Sequence, residues 1–291
     1  MTQFISIIGY PLKHTVSPVF QQAAFDYYHL DVRYEVWETE ATNLSVVINQ
    51  LRQPQSLGAN ITIPYKEAAL HFLDEVDDFA SFAGAVNTIV NRGNRLVGFN
   101  TDGYGFLKAL REDAKFEPEN KCIVIIGAGG AARGVSFALL GEKVNSLVIS
   151  NRTLSRAESL VYSLTKYAVA KGIHAEVIVS PWYSSEFQEA VKNCHLIVNC
   201  TTLGTKYSAQ EGQSPLTADL IPKDALVYDL VYNPSETPLL KVAKEAGANI
   251  ISGLPMLVYQ GASSFQLWTG REAPVDIMLS AAKRALVRIG G

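Results

Sequence analysis

Gly127-Ala128-Gly129-Gly130-Ala131-Ala132-Arg133 follows the apolar run Cys122-Ile123-Val124-Ile125-Ile126 without a break. The run is short, β-branched and free of polar alternation, the pattern of a strand buried on both faces of a parallel sheet. Ala131 to Leu140 is small and apolar and predicts a helix packed on that sheet. A bare G-x-G-x-x-A can be no more than a tight turn. The flanking strand and helix turn it into the first half of a dinucleotide-binding βαβ unit. Gly127 permits the turn, Gly129 lets backbone N–H groups approach a pyrophosphate, and Ala132 lets helix and strand close up. The helix N-terminus adds partial positive charge. Gly127, Ala128, Gly129, Gly130 and Ala131 are therefore the expected phosphate cradle.

Working outward, four further apolar strands are expected after this one, at 147–150, 175–179, 196–199 and 225–231, with a short sixth at 249–252. Helices separate them at 155–170, 185–192 and 239–245. Upstream, strands at 4–8, 32–37 and 58–63 alternate with helices starting at Ser17 and Asn43. That βαβαβ order again argues for a mostly parallel sheet. Asn91-Arg92-Gly93-Asn94-Arg95 reads as a hairpin turn, Gly103 to Arg111 as a helix, and Glu117-Pro118-Glu119-Asn120 as a linker. Val275, Met278, Leu279, Ala282, Leu286 and Ile289 form a helical stripe. Six strands already complete a doubly wound sheet, so this tail is expected to pack on the N-terminal domain. The fold class is α/β, with a substrate domain of residues 1–103 and 256–291 and a Rossmann-type domain of residues 104–255.

At 291 residues, 48% hydrophobic and 18% charged, the chain has material for two domains with ample cores. A formal net charge of -3 without a basic stripe argues against nucleic acid. Cys122, Cys194 and Cys200 lie in apolar stretches without disulfide or metal spacing, and the scattered histidines offer no ligand pair, so no metal is expected. No stretch approaches the roughly 20 apolar residues of a membrane span, and the expected location is cytoplasmic. The expected partner is a small molecule, the protein being a monomer or homodimer.

An NAD-binding unit ends its second strand in Asp or Glu, which accepts from the ribose hydroxyl. Asn151-Arg152-Thr153 stands there instead, with Arg156 close behind. A guanidinium attracts the 2′-phosphate that a carboxylate would repel, so these residues point to NADP.

Asn60-Ile61-Thr62-Ile63-Pro64-Tyr65-Lys66 is the second informative stretch. Asn60 and Thr62 share one strand face. Lys66 reads as part of a helical first turn, an unfavourable place for a cation; an exposed surface lysine is the plainer alternative. Asn87 is a poor strand former inside a strand. Asn100-Thr101-Asp102 is either an Asx turn or a site. Thr15 and Ser17 are either helix caps, with Ser17 as N-cap and Pro18 at the first helical position, or hydroxyls for a carboxylate.

Together these stretches resemble the shikimate dehydrogenases along nearly the whole chain. The resemblance is carried by Gly9-Tyr10-Pro11, His14 to Pro18, Asn60 to Lys66, Ala83 to Thr88, Gly98 to Gly103, Gly127 to Arg133 and Asn151 to Thr153. Asp229 to Pro234 and Gly253 to Gly261 complete it. It implies reversible NADPH-dependent reduction of 3-dehydroshikimate to shikimate in aromatic biosynthesis, in a cleft between the domains. By that likeness Lys66 and Asp102 form the acid–base pair. Thr15, Ser17 and Tyr232 would hold the carboxylate. Thr62, Asn87, Asp102 and Gln260, with Asn60 beside them, would hold the ring. Leu230 and Gly253 would line the nicotinamide site, and Asp78 would touch the cofactor. Two departures stand out: Thr15-Val16-Ser17 replaces the usual Ser-x-Ser, and Thr205 replaces a methionine after Asn199-Cys200-Thr201-Thr202. The competing readings are a quinate/shikimate dehydrogenase and a non-catalytic relative that senses a shikimate-like acid.

Overall fold

Buried Ile5, Ile7 and Ile8 make β1 (Gln3–Gly9) an inner strand. In the computed structural model, which describes residues 2–290, it is followed by α1 (Ser17–Tyr27), β2 (Val32–Glu38), α2 (Leu44–Gln50) and β3 (Ser56–Ile61). β1 lies between β2 and β3, parallel to both. β3 stops two residues earlier than its apolar pattern predicts, and Ile63 beyond it is exposed. A two-residue strand, β4 (Glu75–Val76), and a short helix, α3 (Asp78–Ala83), carry no periodicity long enough to announce them. The hairpin β5 (Thr88–Arg92) and β6 (Arg95–Phe99) turns through Gly93 and Asn94 at φ 60 and 76, the positive angles that a tight two-residue loop demands.

The first sheet runs β2-β1-β3-β5-β6-β4. Its β3–β5 and β5–β6 pairs are antiparallel. The other three pairs, β2–β1, β1–β3 and β6–β4, are parallel, so the sheet is mixed, the antiparallel part entering with a hairpin that needs no crossover connection.

The second sheet follows the expected course. α4 (Asp102–Glu112) leads to β7 (Cys122–Ile126), α5 (Gly130–Gly141), β8 (Ser146–Ser150), α6 (Leu154–Lys171) and β9 (Glu176–Val179). Then come α7 (Ser185–Lys192), β10 (Leu196–Asn199), β11 (Leu226–Asp229), α8 (Pro238–Glu245) and β12 (Asn249–Ile251). All its pairs are parallel, in the doubly wound order β12-β11-β10-β7-β8-β9. Val124, Ile126, Ile197, Val227, Leu239 and Leu240 form its core on one face.

The chain forms two compact units, Met1–Gly105 with Leu257–Gly291, and Phe106–Met256. The division falls inside α4, and Glu117 to Asn120 is a connection within the second unit. The last helices, α9 (Leu254–Thr269) and α10 (Val275–Gly290), bring the chain back to the first unit, with α10 packed on α1. Phe265 of α9 lies 5.2 Å from the ring of Phe25. Trp268 donates its indole N–H to the Ile89 carbonyl at 2.9 Å. Gly58, at φ +142, lets that layer close, because a Cβ there would stand 1.9 Å from the Ile89 oxygen.

Buried Asp229 ties the second sheet to α8. Its carboxylate accepts from Asn199 Nδ2 at 2.9 Å, Val231 N at 3.0 Å and Thr237 Oγ1 at 2.6 Å. Thr237 Oγ1 also accepts from Leu240 N and so caps α8. Burial pushes the Asp229 carboxyl up to about 6, against the pull of these donors. Thr237→Val should therefore cost about 1–2 kcal/mol for the lost cap and donor. The lost donor favours the charged form, so the cost is smaller at pH 5, where folded Asp229 is largely protonated, and larger above pH 6. Denaturant titrations at pH 5 and pH 8 check this; an equal loss at both would show that the bond to Asp229 carries nothing.

Candidate functional site

In the first unit the polar stretches converge. Lys66 lies in a turn ahead of the short 3-10 helix Ala68–Phe72, not in the first turn of an α-helix. Pro64 and the early end of β3 leave the chain irregular there, and the Lys66 carbonyl is held by Val86 N at 2.8 Å. Its ammonium meets Asp102 Oδ2 at 2.5 Å, the two side chains being 14% and 4% exposed. The surface-lysine alternative is thereby excluded. Asp102 opens α4, where the helix dipole favours a carboxylate. Its N–H donates to Asn100 Oδ1, and Asn100 in turn donates to the Ala85 carbonyl.

Asn87 sits at the mouth of β5 rather than inside a strand, which removes the propensity conflict. Its Nδ2 donates to Asp102 Oδ1 at 3.0 Å and Gln260 Oε1 at 3.0 Å. Its Oδ1 accepts from Thr101 N at 2.8 Å, which sets the amide's orientation. Lys66, Asn87, Asp102 and Gln260 thus form one connected cluster.

Asn60 sits behind them. It is buried, its Oδ1 accepts from Tyr34 at 2.7 Å, and its Nδ2 faces Asn87 O, Thr88 and Ser264. Both ends of its amide face protein groups, so its geometry is that of a brace. Thr62 is half-buried and packs on Gly9, where a Cβ would stand 2.4 Å from the Thr62 methyl. That close approach joins the segment leading to α1 with the Asn60–Lys66 stretch.

The cap expected at Ser17 is absent. Val16 occupies the cap position without a side-chain bond, Ser17 is the first helical residue, and Ser17 N donates to Thr15 Oγ1 at 3.3 Å. Pro18 accordingly stands one residue further in than expected. Gln21 of α1 donates to the Gly261 carbonyl at 2.9 Å, and Gly261 is small enough for Phe20 and Gln21 to close against α9. Asp78 is exposed in the first turn of α3, where its charge suits the helix dipole.

Thr101 joins the cluster beside Asp102, and Thr88, Ser264 and Tyr34 join it without having been expected from the sequence. Ser264 carried a usable signal, being four residues after Gln260 and so on the same helix face. Tyr34 carried none.

In the second unit the expected cofactor residues gather at the C-terminal ends of the strands, where a doubly wound sheet binds ligands at its switch point between β7 and β10. Gly127, at φ +117, turns against Cys200, whose backbone a Cβ would approach to 3.1 Å. Its N–H donates to the Ser150 carbonyl at 2.7 Å, linking the loop to the end of β8. Gly129 is the cap residue of α5, and an ideal Cβ there has no heavy atom within 4 Å. Room therefore remains over the first turn of α5, whose unpaired N–H groups fit a diphosphate. Asn151 Nδ2 donates to Thr153 O at 2.8 Å, which shapes the turn that exposes Arg152 and, at the start of α6, Arg156. Leu230 and Gly253 meet: a Cβ on Gly253 would fall 2.1 Å from the Leu230 oxygen. Half-buried Tyr232 follows β11. Among the described residues there is no His/Cys/Asp/Glu cluster suited to a metal, and no helix is long and apolar enough to cross a membrane.

Comparison with known proteins gives three family matches. Residues 7–89 match the shikimate dehydrogenase substrate binding domain, residues 111–211 shikimate/quinate 5-dehydrogenase, and residues 253–283 the shikimate 5′-dehydrogenase C-terminal domain. The chain is 41% identical over 280 residues to a shikimate dehydrogenase (NADP(+)) of Methanopyrus kandleri, covering 96% of this chain and 94% of the relative. A shikimate 5-dehydrogenase of Thermus thermophilus, solved with NADP(H) and shikimate, superposes with a TM-score of 0.85 at 36% identity, over 98% of this chain and 100% of that one. A quinate dehydrogenase of Corynebacterium glutamicum, solved with NAD, gives 0.86 at 28% identity over 97% and 99%.

Proposed function

The chain belongs to the shikimate dehydrogenase family, and on that premise we propose that it catalyses the reversible NADPH-dependent reduction of 3-dehydroshikimate to shikimate. The observation that carries this reading is the nearly buried Lys66–Asp102 pair, bonded through Asn87 to Gln260. NADPH, when bound, supplies the hydride. As the ketone carbon is reduced, negative charge grows on its oxygen, and the Lys66 ammonium stabilises that charge and donates the proton. In the reverse direction neutral Lys66 takes the hydroxyl proton. Asp102 orients the ammonium and balances its charge throughout. Asn87 and Gln260, with Thr62, hold the ring hydroxyls, while Thr15, Ser17 and Tyr232 hold the carboxylate. Asn60 serves as the brace behind Asn87.

Mere sensing of a ring acid needs no proton donor, so the Lys66–Asp102 pair speaks against a non-catalytic relative. For the cofactor, Gly127 to Ala131 would hold the diphosphate and Asn151, Arg152, Thr153 and Arg156 the adenosine 2′-phosphate; Leu230 and Gly253 would flank the nicotinamide. We read the enzyme as cytoplasmic, in keeping with Cys122, Cys194 and Cys200 standing outside any disulfide, and as a monomer or homodimer.

Thr15 favours one alternative. Its methyl crowds the place where the family commonly has serine, and a different ring acid such as quinate would feel that change. Initial rates with shikimate and quinate, each with NADP and NAD, test both readings. The expected order puts shikimate with NADP first; a preference for quinate would overturn the substrate, and a preference for NAD the cofactor.

A further inference from the structure

Behind the Lys66–Asp102 cluster lies a set of buried hydroxyls with no part in the reaction described above. Ser264 of α9 is fully buried, and its Oγ stands 2.7 Å from Thr88 Oγ1, 3.3 Å from Thr101 Oγ1 and 3.2 Å from Asn60 Nδ2. The Gln260 carbonyl lies 3.0 Å from the same Oγ, whose single proton serves both it and Thr88 Oγ1 as a three-centre donor, since Thr88 gives its own proton to Asn87 Oδ1. One atom therefore joins the helix that carries Gln260, β3 at Asn60, the start of β5 next to Asn87, and Thr101 just ahead of Asp102 and α4.

The donors around it fix its surroundings. Burial drives the Tyr34 hydroxyl well above its ordinary range, so it remains a donor, and its bond to Asn60 Oδ1 turns the Asn60 Nδ2 toward Ser264. Thr101 N can only donate, and its bond to Asn87 Oδ1 turns the Asn87 Nδ2 toward Asp102 and Gln260. Thr88 Oγ1 donates to that same Asn87 oxygen at 3.1 Å. Both amides are thus set by donors on one side, and Ser264 closes the connection between them on the other.

We propose that Ser264 is a positioning residue for the ring acid, holding Gln260 and, through Thr88, Asn87 in register without touching the substrate. This rests on the proposed function. Gln260 and Asn87 bind the ring whereas Lys66 performs the proton transfer, so losing the Ser264 hydroxyl should act on ring-acid binding. A general loss of folded enzyme would instead lower kcat and leave KM alone.

The test is steady-state kinetics of Ser264→Ala, with thermal melting as the control for folding. The KM for shikimate should rise about 3- to 10-fold, the worth of one net hydrogen bond, with kcat changed less than about 2-fold and the KM for NADP unaltered. Thr88→Val keeps the side-chain volume, should move the KM for shikimate in the same direction, and decides the matter if Ser264→Ala does not fold. An unchanged KM for shikimate in the folded variant, whatever happens to kcat, overturns the proposal for Ser264 alone. Failure of the wild-type enzyme to turn over shikimate or quinate would overturn the proposed function and this role with it.

Discussion

Lys66→Met is expected to lower kcat by more than about 10²-fold, with the affinity for shikimate changed less than tenfold. General acid–base catalysis is typically worth ~10²–10⁴ in rate, or roughly 2.7–5.5 kcal/mol of barrier. Methionine keeps the length and apolar stem of lysine but has neither proton nor charge, so it removes transition-state stabilisation while filling the space. The substitution also strips Asp102, whose side chain is 4% exposed, of its 2.5 Å partner. Breaking a buried pair from one side costs up to about 3–5 kcal/mol. Here Asn87 Nδ2 and the N-terminus of α4 still face the carboxylate, which puts the cost at the lower end. The melting temperature should therefore fall along with kcat, and turnover must be scaled to the folded fraction. A binding measurement for shikimate separates the two effects: loss of the proton donor leaves Kd nearly intact, and a collapsed site does not. Turnover at the wild-type level would remove Lys66 from the mechanism.

The second large effect is expected at Arg152. Exposed at the end of β8 and linked to the glycine loop through the Gly127–Ser150 bond, Arg152 is the proposed reader of the 2′-phosphate. Arg152→Asp should weaken NADPH binding by ~1.5–3 kcal/mol, the range for hydrogen bonds to charged groups, which is roughly 10- to 150-fold in Kd. Binding of NADH, which has no 2′-phosphate, should change only a few-fold, and a carboxylate at that place can accept from its free ribose hydroxyl. The ratio of the two Kd values, measured by fluorescence titration, is the deciding quantity. Equal weakening of both would mean that the substitution disturbed the whole loop instead of removing the bond to the phosphate. No change in either would make Arg152 a solvated surface cation.

Much of the second unit is legible in the sequence. An apolar β-branched run closed by Gly127-Ala128-Gly129-Gly130 has few ways to fold, because a strand buried on both faces must have helices over it. The expected strands of that sheet match the observed ones to within one or two residues, the largest difference being the end of β11, expected two residues too late. The first unit is less legible. Gly93 and Asn94 announce its hairpin, but β4 and α3 are too short to show a period, and the pattern around Lys66 points to a helical turn that does not form. Pro18 places the start of α1 correctly within a residue, yet the cap expected at Ser17 is absent, which leaves that hydroxyl outside the capping role.

By itself the sequence determined the fold class, the glycine turn between β7 and α5, and the residue types of the polar cluster. These follow from local rules: period, turn chemistry and the spacing of small residues along one segment. Only the tertiary structure decided that Lys66 is a partner of Asp102 rather than a surface cation, that Asn60 braces the site from behind, and that Tyr34, Thr88 and Ser264 join it. Those outcomes depend on which segments meet across β3, β5, α4 and α9. No periodicity records which buried donor will find which acceptor, because that is settled only when the layers close and each buried polar group must be paired.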